Sequence, residues 1–174
     1  MEFKKALIAV VAGVTLAFSA TSFAAAPAAA GVHEALSQKN AAIAAAKLEV
    51  PSTVNYFGTK DKGDTYDVKY QDPDTLDYYD VTVTKKGAKV QHVSISGSNF
   101  PGSVTINKTP EDVKAKILAD YPTAKDIVVT KEADPNGVNL VICKATFTTD
   151  KFAGVAQLNP ATCLYGHREL SYLK

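Results

Sequence analysis

The chain has 174 residues, of which 46% are hydrophobic and 21% are charged, and its formal net charge is +1. Proteins that bind nucleic acid usually carry a basic excess or stripe, which this sequence lacks, so we predict no nucleic-acid partner. The length is enough for one ordinary hydrophobic core or for two small ones.

The first 24 residues have the layout of a secretory signal peptide. Lys4 and Lys5 give a charged start, residues 6–18 form an uncharged apolar run, and Ser22-Phe23-Ala24 fits a small-x-small cleavage site. The apolar run is shorter than the roughly 20 residues of a membrane span. We therefore expect cleavage near Ala24, export to the periplasm or the exterior, and no stable membrane insertion.

A helix is predicted at the start of the mature chain. Residues 25–31 are rich in alanine and are predicted to be a disordered lead-in. Residues 32–48 have helical periodicity, and Ala41–Ala46 has high helix propensity. Pro51 ends the helix. The residues predicted near its apolar face are Val32, Leu36, Ile43 and Ala46.

Short strands of alternating character follow this helix. Asp72-Pro73-Asp74 and Lys86-Gly87 mark turns between them. The spacing predicts an antiparallel meander with one face against a helix and one face outward. The residues predicted to face the helix are Tyr66, Val68, Tyr70, Tyr79, Val81, Val83, Val93 and Ile95.

The same order of elements occurs a second time. Residues 98–108 are predicted to be a linker between a first unit, 32–97, and a second unit, 109–174. Thr109 and Pro110 suit the start of a second helix. The residues predicted on its apolar face are Val113, Ile117 and Tyr121. The strands predicted after it are 126–131, 140–148, 152–158 and 167–172. We predict an α+β fold of two helix-plus-antiparallel-meander repeats, which form one sheet or two small sheets.

The two cysteines both lie in the second unit. In an oxidising compartment an even number of cysteines indicates a disulfide, here between Cys143 and Cys163. Such a bond would add roughly 3 kcal/mol by constraining the unfolded chain. Two buried or free thiols are the alternative. A zinc site needs two further ligands and only His167 is near, so we predict no metal.

The sequence contains no recognisable catalytic motif. The three histidines, His33, His92 and His167, each lack a neighbouring catalytic pattern, and no serine has a Gly-x-Ser-x-Gly context. We interpret the histidines as surface residues. We predict that the protein is not an enzyme and uses no cofactor.

An acidic run occupies the first unit, at Asp72, Asp74, Asp77 and Asp80. Calcium takes several oxygen ligands of this kind, but the glycine and terminal glutamate of an EF-hand loop are missing. Solvated turn residues are the simpler interpretation. A calcium or small-ligand site at residues 72–80 stays open as an alternative function.

Aromatic residues are concentrated in the same region. If Tyr79 faces the helix, strand alternation directs Tyr78 outward beside Asp80. Exposed tyrosines are common anchors at protein interfaces, although aromatic residues also build cores. We predict Tyr78, Tyr79 and Asp80 as the binding residues for a protein partner.

The second unit resembles the PepSY family in two short turn motifs. Tyr121-Pro122-Thr123-Ala124 is similar to the family's Pro-Gly-Ala-like turn after the helix, with Thr123 in place of glycine. Asn159-Pro160-Ala161-Thr162-Cys163 is similar to its Asp-x-x-Thr-Gly-like turn before the last strand. Asn159 replaces the aspartate there and Cys163 replaces the glycine. The resemblance covers about residues 109–174.

This resemblance implies an exported or membrane-facing, non-enzymatic module that restrains peptidases or binds other proteins. The tandem arrangement is also similar to the architecture of secreted β-lactamase inhibitory proteins, in which two such units form a concave sheet that grips an enzyme. The resemblance therefore implies an inhibitor that acts by protein contact. It assigns no inhibitory residue to this chain.

Overall fold

The computed structural model describes residues 27–97 and 101–174, and side chains from residue 31 onward. The predicted signal peptide, 1–24, lies outside these residues. The elements, in chain order, are α1 (Pro27–Lys47), β1 (Asn55–Asp61), β2 (Thr65–Gln71), β3 (Tyr78–Thr84), β4 (Val90–Ser96), α2 (Pro110–Asp120), β5 (Lys125–Ala133), β6 (Val141–Thr148), β7 (Phe152–Leu158) and β8 (Tyr165–Tyr172).

All eight strands pair into a single antiparallel sheet, in the order β1-β2-β3-β4-β8-β7-β6-β5. Within each half, every strand pairs with the next one along the chain, which makes two meanders. The halves join where β4 pairs with β8, and we call this pairing the seam. The α+β class is confirmed, and of the two arrangements that the sequence left open the structure shows the single sheet.

α1 is longer than predicted and differs in the face that it buries. It begins at Pro27, so residues 27–31 are helical and not a disordered lead-in. Proline is favoured in the first turn and alanine throughout a helix, which explains the early start. Ala42 and Ala46 are fully buried, whereas Val32 and Leu36 are 69% and 54% exposed. Of the α1 side chains from residue 31 onward, those that contribute to the core therefore lie in the carboxyl-terminal part.

Two tyrosines of β2 attach the sheet to α1. The Tyr66 hydroxyl donates to the Ala35 carbonyl over 3.3 Å, and the Tyr70 hydroxyl donates to the Ile43 carbonyl over 3.0 Å. Small alanine side chains let the helix approach the sheet closely enough for these hydroxyls to reach its backbone. The polar ends of both rings are thus satisfied although the rings are buried.

α2 has the start that the sequence predicts. The Thr109 hydroxyl accepts from the Asp112 N–H over 3.1 Å, and the Asp112 carboxylate accepts from the Thr109 N–H over 2.8 Å, which is a capping box. The hydrogen bonds from the Thr109 N–H and hydroxyl lower the pKa of Asp112. Val113 and Ile117 are fully buried, which confirms the predicted apolar face.

Among residues 27–97 and 101–174, helices cover one face of the sheet and none covers the other. Both helices pack on the face that holds the core, which we call the helix face. Its buried strand residues are Tyr66, Val68, Tyr70, Tyr79, Val81, Val83, Val93, Ile95, Cys143, Ala145, Phe147, Phe152, Ala156, Leu158 and Leu170. The alternating residues, among them Tyr78, Asp80, Ser94 and Glu169, lie on the opposite side, which we call the open face.

An aromatic cluster packs α2 against the second half of the sheet. The Phe147 ring lies 5.0 Å from that of Tyr121, and the Phe152 ring lies 5.7 Å from it, centroid to centroid. Phe147 lies directly over Gly154 on the neighbouring strand. A methyl group at Gly154 would come within 2.4 Å of the Phe147 ring, so the cluster depends on the missing side chain.

Arg168 is a buried cation on the helix face of β8. Only 16% of its side chain is exposed. Its guanidinium stacks on the Tyr165 ring at 4.4 Å from the centroid and donates to the Tyr121 hydroxyl over 3.3 Å. A guanidinium nitrogen also lies 4.0 Å from the Asp77 carboxylate, in the β2–β3 connection. Arg168 thus links the second half of the sheet to the first.

The described part of the predicted linker packs against the second half. The N–H groups of Asn107 and Lys108 both donate to the Pro160 carbonyl, over 3.1 Å and 2.9 Å. Ser103 forms an isolated antiparallel bridge with Val141. Residues 101–108 therefore follow the surface of the second half closely.

The disulfide predicted between Cys143 and Cys163 is not formed. Both cysteines are buried and free. Burial raises the pKa of each thiol, which keeps it protonated at neutral pH and lets it pack as a small apolar group. The φ of Cys163 is 60°, which lies in the left-handed region that favours glycine.

Candidate functional site

A cluster of polar side chains lies on the open face, across the seam. Strand alternation directs three residues of β4 and three of β8 to this face, and the register places them directly opposite one another. The opposed pairs are His92 with Ser171, Ser94 with Glu169, and Ser96 with His167. We call these six residues the seam cluster.

Glu169 is the centre of the seam cluster. One carboxylate oxygen bonds the Nε2 atom of His92 and the other bonds the Nε2 atom of His167. The Ser94 hydroxyl donates to the same carboxylate over 3.1 Å. The two outer serines reach the other imidazole nitrogens, with Ser96 Oγ 3.3 Å from His167 Nδ1 and Ser171 Oγ 3.4 Å from His92 Nδ1.

These contacts fix the charge of Glu169. Burial raises the pKa of the carboxyl, but hydrogen bonds from His167, His92 and Ser94 outweigh it, so the pKa lies below its ordinary value. Glu169 is therefore ionised at neutral pH. Because an ionised carboxylate only accepts hydrogen bonds, the Nε2 atoms of both rings are donors, and each neutral ring accepts at Nδ1.

The serine–histidine–glutamate order is that of a proton relay. A serine hydroxyl that donates to an imidazole, itself held by a carboxylate, is the arrangement of nucleophilic hydrolases. Such enzymes also need free N–H donors for the developing oxyanion. Both strands of the cluster are paired on either side, so their backbone N–H groups serve the sheet ladder. These N–H groups are therefore not available to a substrate oxyanion.

The cluster is not a metal centre. Within residues 27–97 and 101–174, no group of three histidine, cysteine, aspartate or glutamate side chains is arranged to hold a metal ion. The two Nε2 atoms contact different oxygens of Glu169 and so do not converge on one point.

The acidic run is dispersed over both faces. Asp72 caps its own turn, accepting from the N–H groups of Asp74 and Thr75 over 2.9 Å each, and these bonds lower its pKa. Asp77 faces Arg168 on the helix face, whereas Asp80 pairs with Lys69 over 3.0 Å on the open face. The carboxylates therefore do not surround a common point.

The three predicted binding residues divide between the faces. Tyr78 is 49% exposed on the open face, and its ring packs edge-on against the Phe57 ring at a centroid distance of 6.2 Å. Phe57 itself is 66% exposed. Asp80 lies on the same face, paired with Lys69, whereas Tyr79 is buried in the core and does not reach the open face. We call Phe57 and Tyr78 the aromatic pair.

A groove of about 850 Å³ lies on the helix face, beside the end of α1. Ala45 and Leu48 from α1, Val90 from β4, and Leu173 after β8 give it apolar walls. At its edge the Tyr172 hydroxyl donates to the Glu49 carboxylate over 2.6 Å. Burial, together with Glu49, raises the pKa of Tyr172.

The seam cluster was not predicted from the sequence, in which each histidine was interpreted as a separate surface residue. A signal for it is present in the sequence. The last strand of the first half contains His92-x-Ser94-x-Ser96, and the last strand of the second half contains His167-x-Glu169-x-Ser171. The period of two places each set on one face of its strand. The missing information was that these two strands are neighbours.

Comparison with known proteins gives no matching family model, no matching curated protein and no matching solved structure.

Of the two helices that the structure describes, neither combines the length and the apolar composition that crossing a bilayer requires.

Proposed function

We propose that this is an exported, non-enzymatic protein of two PepSY-like units, which binds another protein through the open face. The partner class that we propose is a peptidase or another envelope enzyme, which the bound protein would restrain. The observation that carries the proposal is the uncovered side of the sheet, because it offers a broad surface with an exposed aromatic anchor.

The size of the open face suits a protein partner. With strands about 4.8 Å apart and about 3.4 Å of rise per residue, eight strands of about seven residues make a face of about 800 Å². A standard interface buries about 800 Å² on each partner. The open face alone could therefore supply one side of a stable complex.

The composition of the open face also supports protein contact. The aromatic pair supplies apolar area toward the edge, and Lys69 with Asp80 supplies charge beside it. The seam cluster supplies hydroxyl and imidazole groups at the centre. Protein interfaces contain both kinds of group, large aromatic anchors and polar groups that form hydrogen bonds.

Two observations support the tandem-repeat part of the proposal. Each half has one helix followed by four strands in a meander. Each half also ends in a His-x-x-x-Ser strand that faces its counterpart across the seam. A duplicated unit that pairs with itself about a two-fold axis gives this symmetry.

Replacing Tyr78 by alanine is expected to weaken partner binding at least about tenfold, as loss of an aromatic anchor at an interface does. The measurement is recovery of partners from the protein's own envelope fraction by the immobilised mature protein, followed by titration of the recovered partner. Phe57→Ala is expected to act in the same direction, because the two rings support each other.

Tyr56→Ala is the matched control. Tyr56 is also 49% exposed, but it is paired with Tyr70 and lies on the helix-face side of the sheet. This variant loses the same kind of ring from the opposite face of the sheet and should bind the partner as tightly as the wild type does. Equal recovery by all variants, or an equal loss in Tyr56→Ala, would exclude the open face as the binding surface.

The groove on the helix face supports a second candidate function, the binding of a small apolar ligand. Its walls of Leu48, Val90 and Leu173 would accept an apolar body. A fluorescent apolar probe should then bind the protein and raise its melting temperature, and Leu48→Lys should abolish both effects. Probe binding that Leu48→Lys leaves unchanged would remove the groove as the site.

A further inference from the structure

Both halves of the sheet line the groove on the helix face. Leu48 from α1 and Val90 from β4 belong to the first half, whereas Leu173 follows β8 in the second. The hydrogen bond from the Tyr172 hydroxyl to the Glu49 carboxylate, over 2.6 Å, also joins the halves at the edge of the groove. Leu48 and Leu173 are 84% and 61% exposed. A ligand in the groove would therefore contact both halves and remove apolar area from water.

Three polar side chains in the walls of the groove, Thr84, Glu49 and Tyr172, already have hydrogen-bond partners. The Thr84 hydroxyl donates to the Lys86 carbonyl over 2.9 Å and accepts from the Lys89 N–H over 3.0 Å. The Glu49 carboxylate accepts from the Tyr172 hydroxyl. A peptide in the groove would need partners for its own N–H and carbonyl groups, because each of them is an obligatory hydrogen-bonding group. A hydrocarbon chain needs none, so these walls favour an acyl chain over a peptide.

Two lysines supply positive charge at the rim of the groove. Lys89 lies in the connection between β3 and β4, and Lys174 follows β8. Both are exposed. Among the ion pairs within residues 27–97 and 101–174, none includes Lys89 or Lys174. Lys85, in the same connection as Lys89, is instead paired with Asp61 over 2.7 Å. The two rim lysines therefore complement a ligand that carries a negative charge at one end.

We propose that the groove binds a free fatty acid, whose acyl chain lies against the aliphatic walls and whose carboxylate meets the ammonium groups of Lys89 and Lys174. Fatty-acid binding is a specific form of the second candidate function, the binding of a small apolar ligand, and rests on it. The groove volume of about 850 Å³ lies within the range of about 300–1,000 Å³ that small-molecule sites have. Glu49 repels a carboxylate from the end of α1, which directs the head group toward the two lysines.

The test is calorimetric titration of the mature protein with decanoate, below the concentration at which it forms micelles, and with decanol, which has the same chain without the charge. We expect both ligands to bind and to raise the melting temperature, because a ligand of the folded state stabilises that state. In Lys89→Gln/Lys174→Gln the affinity for decanoate should fall about tenfold, since each exposed ion pair contributes up to about fivefold. The affinity for decanol should stay unchanged.

Lys60→Gln/Lys131→Gln is the matched control. These two lysines are also exposed and also form no ion pair within the part of the chain that the structure describes. They lie on the edge strands β1 and β5, outside the groove. This variant loses the same amount of charge and should bind both ligands as tightly as the wild type does. Because all four lysines are exposed, both double variants should melt at the wild-type temperature without ligand.

The fatty-acid proposal is overturned if Lys89→Gln/Lys174→Gln binds decanoate as tightly as the wild type does. It is also overturned if the control loses as much affinity, because net charge alone would then explain the loss. Decanol binding alongside either result would leave apolar-ligand binding in the groove intact, so the two proposals can fail separately. No binding of either ligand would exclude both. Vesicles of phosphatidylglycerol form a third arm: if they bind the protein through the two lysines and decanoate does not bind, the lysines serve a membrane surface and the proposal is wrong.

Discussion

Replacing Arg168 by alanine is expected to lower the free energy of unfolding by about 3 kcal/mol. The guanidinium is largely buried, stacks on Tyr165, donates to the Tyr121 hydroxyl and lies near the Asp77 carboxylate. Its removal leaves a cavity beside the Tyr165 and Tyr121 rings and takes the cation away from the largely buried Asp77 carboxylate. Removing one member of a buried charge pair is among the costliest single changes, because the remaining charge stays desolvated.

Urea unfolding of the purified protein measures this loss, with two variants for comparison. Arg168→Met keeps the stem of the side chain and should be less destabilising than alanine, since part of the loss is packing. Lys116→Ala is the matched control, because its ammonium also lies over the Tyr165 ring, at 5.1 Å, but is more exposed. We expect the control to cost less than about 1 kcal/mol. If Lys116→Ala and Arg168→Ala lower the free energy of unfolding equally, the burial of Arg168 is not the cause of the loss.

Gly154→Ala is expected to destabilise the protein by about 2 kcal/mol, as overpacking of a well-filled core does. The added methyl group would lie 2.4 Å from the Phe147 ring, so the ring must move. Phe147 cannot move freely, because Tyr121 and Phe152 pack against it. A change that normally favours folding by restricting the unfolded chain would here have the opposite sign.

A double-mutant cycle checks the cause of this loss. Phe147→Leu alone should be destabilising, because it leaves a cavity beneath α2. In the Phe147→Leu background, Gly154→Ala should cost much less than in the wild type, since the methyl group then has room. Additive losses in the double variant would show that the ring is not the group that opposes the methyl.

Much of the fold can be predicted from the sequence because it depends on local patterns. The period of two in β2, β3 and β4 identifies the buried face, and the Thr109-Pro110 start identifies α2. The burial of α1 could not be read in the same way. Val32 and Leu36 continue the apolar pattern of the helix, but their side chains are exposed, because the position of the helix on the sheet, a matter of tertiary geometry, decides which of its residues are buried.

The candidate site, too, can be predicted from the sequence only where it depends on a local pattern. Alternation within β3 predicts that Tyr78 and Tyr79 face opposite sides, and the structure places them so. The seam cluster depends on two strands far apart in sequence being neighbours in one register. A shift of one residue would turn every member to the other face. No pattern within either strand carries that information.

The order of the strands bears on how two molecules of this protein could exchange parts. Within each half the strands pair with their neighbours in sequence, so each half can assemble from local hairpins, whereas the seam pairs strands that are far apart in sequence. A second copy presents a β8 identical to the one that β4 meets in its own chain. If two chains part at the seam before it closes, each can complete the other and give a domain-swapped dimer.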